Sequence, residues 1–157
     1  MEGRPDVHIV SASAIIPARR ERVYSLIANY NDGHTRIVPK QLSGLTVEQG
    51  GVGAGTVIRF QMSVLGKKQN FRAAITEPEP GRVLVETDLE TNGAVTTFTV
   101  DPGNAPADSR VTISTVVPVR SGFLGWLEKT FATLLLRPMY KQELTNIARV
   151  ATGPFGA

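Results

Sequence analysis

An alternation of apolar and polar residues in the middle of the chain constrains the fold most strongly. Across Thr56–Leu65 one set of alternate positions is apolar, and the other set is mixed. Successive side chains of an extended chain point to opposite faces, so this segment is predicted to be a half-buried antiparallel strand. The face expected to point to the core carries Ile58, Phe60, Met62 and Val64, and the other carries Val57, Arg59, Gln61 and Ser63.

Turn signals divide the surrounding sequence into further strands. Asn92-Gly93 is the strongest short hairpin signal in the chain. Glycines between 50 and 55 and the run Pro78–Gly81 mark other turns. Val7–Ile16 is rich in β-branched residues and stops before Pro17. Seven strands are predicted in all, over 7–16, 42–49, 56–65, 69–77, 82–90, 94–101 and 110–119.

Three segments have helical character. Ala18–Tyr30 carries apolar residues at the i, i+3, i+4, i+7 spacing of an amphipathic helix, after a proline suited to a first turn. His34–Val38 is predicted to be a second short helix, stopped before Pro39. Gly122–Thr152 is rich in good helix formers and ends at Gly153-Pro154.

This order of elements predicts an α+β fold. A seven-stranded antiparallel sheet cannot bury its apolar face alone, so the long C-terminal helix is expected to cover it. Two short helices should lie between strands one and two. The 157 residues contain no repeat or linker, which predicts a single domain over residues 1–157.

Composition excludes several classes of site. The absence of cysteine excludes disulfides, thiolate zinc sites and a cysteine nucleophile, and it favours a cytoplasmic location. Two histidines are too few for a structural metal site, so no metal and no cofactor are predicted. The formal charge of +3 comes from scattered basic residues, which argues against nucleic-acid binding. No apolar run approaches the roughly 20 residues of a membrane-spanning helix.

Several short motifs occur in a familiar order. A strand ends at Ile16-Pro17-Ala18, and Val23-Tyr24 follows on the first helix; Gly53–Thr56, Glu79–Leu84 and Arg137-Pro138 come later. From about Val7 to about Thr152, the chain resembles the START-like polyketide cyclase/dehydrase and lipid-transport superfamily. That resemblance implies a helix-grip fold, in which a curved seven-stranded antiparallel sheet wraps around a long C-terminal helix.

The resemblance also implies a ligand cavity between sheet and helix. The expected partner is a small hydrophobic molecule such as a lipid, polyketide or isoprenoid, bound or transported in that cavity. The alternative is a cyclase or dehydratase acting on such a molecule. A fold alone does not decide between them, and the sequence assigns no catalytic residue; only Tyr24, Tyr30 and His34 are plausible titratable candidates.

The face predicted to point inward is apolar with a few hydroxyls. The alternation of side chains along each strand predicts a buried set: Ile58, Phe60, Phe71, Ile75, Val85, Phe98 and Ile113. It predicts that Arg59, Gln61, Glu86 and Asp88 are exposed, the two acids on a solvated outer face of their strand. An apolar wall with a few polar groups is typical of a small-molecule site. His34 is expected to be an exposed loop residue near the cavity mouth.

The long helix carries two apolar stripes. Phe123, Leu127, Phe131 and Leu134 share one face, while Leu144, Ile147 and Ala151 share another, displaced by roughly 100°. Pro138 lies between them, so we expect a kink. The kink would either bring both stripes onto the sheet or open a wedge under the helix that forms the cavity. The predicted ligand-binding residues are Tyr30, His34, Phe60, Met62, Thr87, Thr96, Phe98, Thr115, Leu127, Phe131 and Leu134, with Tyr30 and His34 near the entrance.

The start of this helix suggests a further possibility. Phe123, Leu124, Trp126 and Leu127 lie beside Lys129 and could enter a membrane interface. A transient contact with a membrane surface is therefore a third hypothesis. The sequence makes no prediction of oligomeric state.

Overall fold

A computed structural model describes residues 6–153. Seven strands form one antiparallel sheet in the order β1-β7-β6-β5-β4-β3-β2, which confirms the predicted fold class. The strands are β1 (Asp6–Ile16), β2 (Leu42–Gln49), β3 (Val57–Val64), β4 (Lys67–Glu79), β5 (Val83–Asp88), β6 (Val95–Pro102) and β7 (Ser109–Val119).

Two α-helices accompany the sheet within the described residues. Helix α1 (Arg20–Ala28) follows β1, and helix α2 (Gly122–Ala151) runs through Pro138. The second predicted short helix is only one 3-10 turn, His34–Arg36, because the chain straightens before Pro39. Pro154, expected to end α2, lies outside the described residues. No helix within residues 6–153 is long and apolar enough to span a bilayer.

The sheet is built from hairpins and one long-range pairing. Strands β2 to β7 pair in sequence order, while β1 pairs with β7 from Asp6↔Val119 to Ile16↔Ser109. Register shifts in β2, and in β4 between Thr76 and Glu79, mark bulges that bend and twist the strands. The resulting sheet curves around α2.

The core lies between the inner face of the sheet and the C-terminal half of α2. Ile113, Phe98 and Leu84 pair side by side across three strands and are fully or almost fully buried. From α2, Leu144 and Ile147 belong to the same buried cluster. Most predicted core positions are therefore correct, and Ile58 and Ile75 are also buried.

The predicted orientation of β5 is wrong. Its inner face carries Leu84, Glu86 and Asp88, while Val85 and Thr87 face outward. Directly paired residues point to the same face of a sheet, and Glu86 pairs with inward-facing Ile75 and Thr96. A count of apolar residues favoured the other face, but the register with the neighbouring strands decided the orientation.

The predicted orientation of the first stripe of α2 is also wrong. Phe123, Leu127, Phe131 and Leu134 do share a face, but that face points to solvent. Only the second stripe packs into the core, and it continues toward the N-terminus through Tyr140, Met139 and Ala132. On a helix that runs through Pro138, stripes displaced by roughly 100° cannot both face one sheet.

Candidate functional site

A cavity of about 310 Å³ lies between the sheet and the N-terminal half of α2. Five of the predicted ligand-binding residues line it: Phe60, Met62, Thr96, Thr115 and Phe131. The remaining lining residues are Val64, Gln69, Phe71, Ala73, Glu86, Asp88, Asn92, Ala94, Val117, Pro118, Glu128, Ala132, Leu135, Leu136 and Tyr140.

The cavity has an exposed end and a buried end. Gln69, Asn92 and Phe131 are exposed lining residues, so the mouth lies between two hairpin ends and α2. The walls are mainly apolar, and the rings of Phe60 and Phe71 stack there with centroids 5.3 Å apart. These two residues are half-buried rather than buried as predicted, because they border the cavity.

Three hydroxyl groups form a chain at the buried end. Thr96 Oγ1 lies 2.8 Å from Thr115 Oγ1, which in turn contacts the hydroxyl of Tyr140. Burial raises the pKa of Tyr140 to about 12, so its hydroxyl stays protonated at neutral pH. The chain therefore offers hydrogen-bond donors and acceptors inside an apolar space.

A smaller cavity of about 80 Å³ adjoins the first. It is lined by His34, Phe98 and Glu143, among others, and it shares six residues with the larger cavity: Phe60, Met62, Glu86, Thr96, Leu136 and Tyr140. His34 was expected near the mouth as an exposed loop residue, but it is only 3% exposed. That prediction is wrong because the 3-10 turn directs the side chain into the core.

Glu86 joins the two cavities and is the centre of a polar cluster. The Tyr30 hydroxyl donates to Glu86 Oε1 at 2.6 Å. His34 Nε2 lies 3.5 Å from the same oxygen and 4.0 Å from Glu143 Oε1. Tyr30 is buried as well, behind Glu86 rather than at the cavity entrance as predicted. We refer to Tyr30, His34, Glu86 and Glu143 as the acid–base cluster.

The surroundings of His34 fix its ring. Its Nδ1 lies 2.7 Å from the carbonyl oxygen of Ile27, which can only accept, so Nδ1 carries a proton. The ring stacks on Tyr30 at 4.2 Å and meets Phe98 edge-on at 5.8 Å. Nε2, the other ring nitrogen, faces both carboxyl groups.

Burial raises the pKa values of two groups in the acid–base cluster, Glu143 and Tyr30. It raises the pKa of Glu143 well above its usual range, and the nearby Glu86 raises it further. Burial, with the charge of Glu86, also raises the pKa of Tyr30. Burial therefore favours the neutral form of Glu143, beside a second carboxyl group that reaches the ligand space.

Four predicted site residues line neither cavity: Tyr30, Thr87, Leu127 and Leu134. Thr87 lies on the outer face of β5 because of the strand orientation described above. Leu127 and Leu134 belong to the outward stripe of α2, and Leu134 is 71% exposed. Among residues 6–153 no three His, Asp or Glu side chains are arranged to hold a metal ion.

The sequence reasoning did not identify Glu86, Tyr140 and Glu143 as site residues. A signal for two of them exists, since Tyr140 and Glu143 stand on the same helical face as Leu144 and Ile147. A carboxylate within an apolar stripe is a candidate buried acid. For Glu86 the pattern of its own strand indicated the opposite face, so only the pairing register reveals it.

Comparisons with known proteins agree with this architecture. The KanY protein (ms6282), solved by NMR, is 26% identical, with a TM-score of 0.80 over 96% of this chain and 100% of that chain. Zhui aromatase/cyclase from Streptomyces sp. R1128 is 14% identical, with a TM-score of 0.76 over 95% and 100% of the two chains. A START superfamily protein from Mycobacterium smegmatis is 15% identical, with a TM-score of 0.73 over 91% and 99%.

Sequence comparison gives a family. No curated protein matches the chain. Residues 7–152, nearly the whole chain, match the family described as polyketide cyclase / dehydrase and lipid transport. This match covers every strand but the first residue of β1, both helices and all the cavity-lining residues. The chain therefore belongs to the polyketide cyclase/dehydrase and lipid-transport family.

Proposed function

We propose that this protein binds a small, mostly apolar molecule that carries a hydroxyl or carbonyl group at one end. The observation that carries the proposal is the 310 Å³ cavity with apolar walls and a polar inner end. Small-molecule sites of this type have volumes of roughly 300–1,000 Å³ and a few polar groups that orient the ligand. The family's known range, ligand binding or cyclase chemistry, is consistent with it.

The geometry supports a defined orientation for this ligand. Its apolar body would lie against Phe60, Phe71 and Leu136 and gain about 25 cal/mol for each Å² removed from water. Its polar end would meet Glu86 and the Tyr140 hydroxyl, which line both cavities. A ligand without a polar group would exclude water from Glu86 and the Tyr140 hydroxyl and offer them no hydrogen bond in its place, which disfavours it.

The test uses two tryptophan substitutions on one helix. Ala132 is buried and lines the cavity, so Ala132→Trp should fill it and weaken binding of the apolar fluorophore N-phenylnaphthylamine by about tenfold or more. Leu134 points to solvent, so Leu134→Trp should bind the probe like the wild type. Native mass spectrometry of the purified protein would show whether a bound molecule disappears in the same variant.

Two results would contradict the proposal. Equal probe binding by both variants would place the ligand outside this cavity. Unfolding of Ala132→Trp, seen by circular dichroism, would show that the space is already close-packed, because overpacking a full core costs about 1–3 kcal/mol.

A second candidate function is acid–base catalysis in the same cavity. The acid–base cluster favours it, because Glu86 reaches the ligand space beside His34 and beside Glu143, whose pKa burial raises. Glu86 would remove the proton next to a ligand carbonyl, and the same proton would leave with a β-hydroxyl group as water. Tyr140 and Thr96 hydroxyls would stabilise the enolate oxygen formed between these steps. The fold neighbour Zhui is an aromatase/cyclase, which gives this candidate some support.

Glu86→Gln separates catalysis from binding. The amide keeps the shape of the side chain but cannot accept the proton. With an aromatic β-hydroxy ketone as substrate, formation of the ultraviolet-absorbing enone should fall by about 10²–10⁴-fold. Probe binding should change only slightly. Absence of enone formation by the wild type, with probe binding intact, would leave binding as the function.

A further inference from the structure

The N-terminal half of α2 has an unusual exposed face. Its six large apolar side chains are between 41% and 72% exposed, and Phe123 stacks on Trp126 with centroids 6.0 Å apart. Contiguous exposed apolar patches of this kind mark interaction sites. We call this face the outer stripe of α2, formed by Phe123, Leu124, Trp126, Leu127, Phe131 and Leu134.

The net positive charge of the sequence falls in the segment that carries this stripe. Residues 120–141 contain four basic residues and one acidic residue, a net charge of +3. The whole chain has 17 basic and 14 acidic residues, also +3, so the rest of the chain is balanced at 13 and 13. The acid, Glu128, is engaged by Arg120 at 2.8 Å. The basic residues are Arg120, Lys129, Arg137 and Lys141.

The outer stripe continues into the cavity mouth. Phe131 belongs to the stripe and also lines the cavity. Across the mouth, the β3–β4 hairpin contributes Val64 and Gln69 to the lining. The tip of this hairpin carries Leu65, which is 85% exposed and is followed by Lys67 and Lys68. Both rims of the mouth thus present an exposed apolar side chain beside basic residues.

We propose that this rim is a docking surface for an anionic lipid bilayer, with the cavity mouth turned toward the lipid. A helix with aromatic and leucine side chains on one face and basic residues beside them lies at such an interface. Basic residues near an anionic membrane add an attraction that weakens with salt. A second copy of the chain is a less favourable partner for this rim, because docking would bring together two segments 120–141 that each carry a net charge of +3. The inference rests on the proposed binding function: an apolar ligand could pass between bilayer and cavity without crossing water.

Vesicle co-sedimentation tests the proposal. The wild type should bind vesicles of phosphatidylcholine with about 30% phosphatidylglycerol, and bind pure phosphatidylcholine much more weakly. Raising the salt from about 0.1 M to about 1 M should also weaken binding. The double variant Leu127→Asp/Leu134→Asp should lower the partition coefficient by about tenfold or more. Both leucines are exposed and outside the cavity lining, so folding and binding of N-phenylnaphthylamine should persist.

A matched control distinguishes this face from other exposed apolar residues. Val52 is 64% exposed in the loop before β3, so Val52→Asp should leave vesicle binding unchanged. Failure of the wild type to bind anionic vesicles, with probe binding intact, would overturn docking while sparing the proposed function. A dimer that Leu127→Asp/Leu134→Asp dissociates, without vesicle binding, would instead identify the stripe as a self-association face.

Discussion

At the scale of single residues, Glu143 is the most unusual group in the molecule. It is a carboxylic acid on the core face of α2, only 6% exposed, among apolar neighbours such as Leu144 and Ile147. Burial of a carboxyl group disfavours its ionised form. Its presence therefore lowers stability at neutral pH, a cost that proteins commonly accept at functional sites.

The pH dependence of Glu143→Gln should reveal this cost. In the unfolded chain Glu143 ionises around its ordinary pKa of 4.5, whereas burial keeps it protonated in the folded state. As pH rises above 4.5, the unfolded state binds fewer protons than the folded state, so the wild type loses stability. Glutamine is neutral throughout. The stability of Glu143→Gln relative to wild type should therefore rise by up to about 1.4 kcal/mol per pH unit toward neutrality.

Urea unfolding between about pH 4.5 and 7.5 measures this difference. Glu128→Gln is a control in which the stability difference from wild type should change with pH in the opposite direction. Hydrogen bonds from Arg120 lower the pKa of the Glu128 carboxyl group. Its stabilising contribution is present above the ordinary pKa of 4.5 and is lost on acidification. A constant difference between Glu143→Gln and wild type would mean that Glu143 is ionised in the folded protein.

At the scale of elements, β5 shows how the register between strands overrides the pattern of one strand. Its odd positions carry more apolar residues, yet its even positions face the core. Glu86 is accommodated inside by Tyr30 and His34. Partial burial opposes ionisation of Asp88 at the cavity mouth. Hydrogen bonds from the Thr91 hydroxyl and from the backbone N–H groups of residues 90–92 outweigh this and lower its pKa. Both acids therefore have local partners that compensate for their inward position.

A pair of alanine substitutions on β5 tests this orientation. Leu84 is fully buried against Phe98, so Leu84→Ala should reduce the free energy of unfolding by about 2–5 kcal/mol. Val85 faces outward and is half-buried, so Val85→Ala should cost less than about 1 kcal/mol. Urea denaturation of both variants at one pH gives the comparison. A larger cost for Val85→Ala would restore the orientation that the sequence pattern indicated.

At the scale of the whole molecule, α2 performs two tasks with its two halves. The C-terminal half closes the core, while the N-terminal half leaves space beneath it and exposes the outer stripe. Ala132 at the inner face is small, which leaves room for the cavity between helix and sheet. Because the small Ala132 faces the sheet here, the large apolar side chains of the outer stripe point to solvent beside the cavity mouth.

The sequence by itself determined the elements, their order and the antiparallel sheet, because the periods of strands and helices are local properties. It also placed Phe60, Met62, Thr96 and Thr115 on the inner face of their strands, where they line the cavity. What only the tertiary structure decided was the direction in which β5 and the first half of α2 face. Periodicity defines which residues share a face, but packing against neighbouring elements determines which face is buried. For the same reason, no local pattern in the sequence indicates the acid–base cluster. Its residues 30, 34, 86 and 143 meet only in the folded chain.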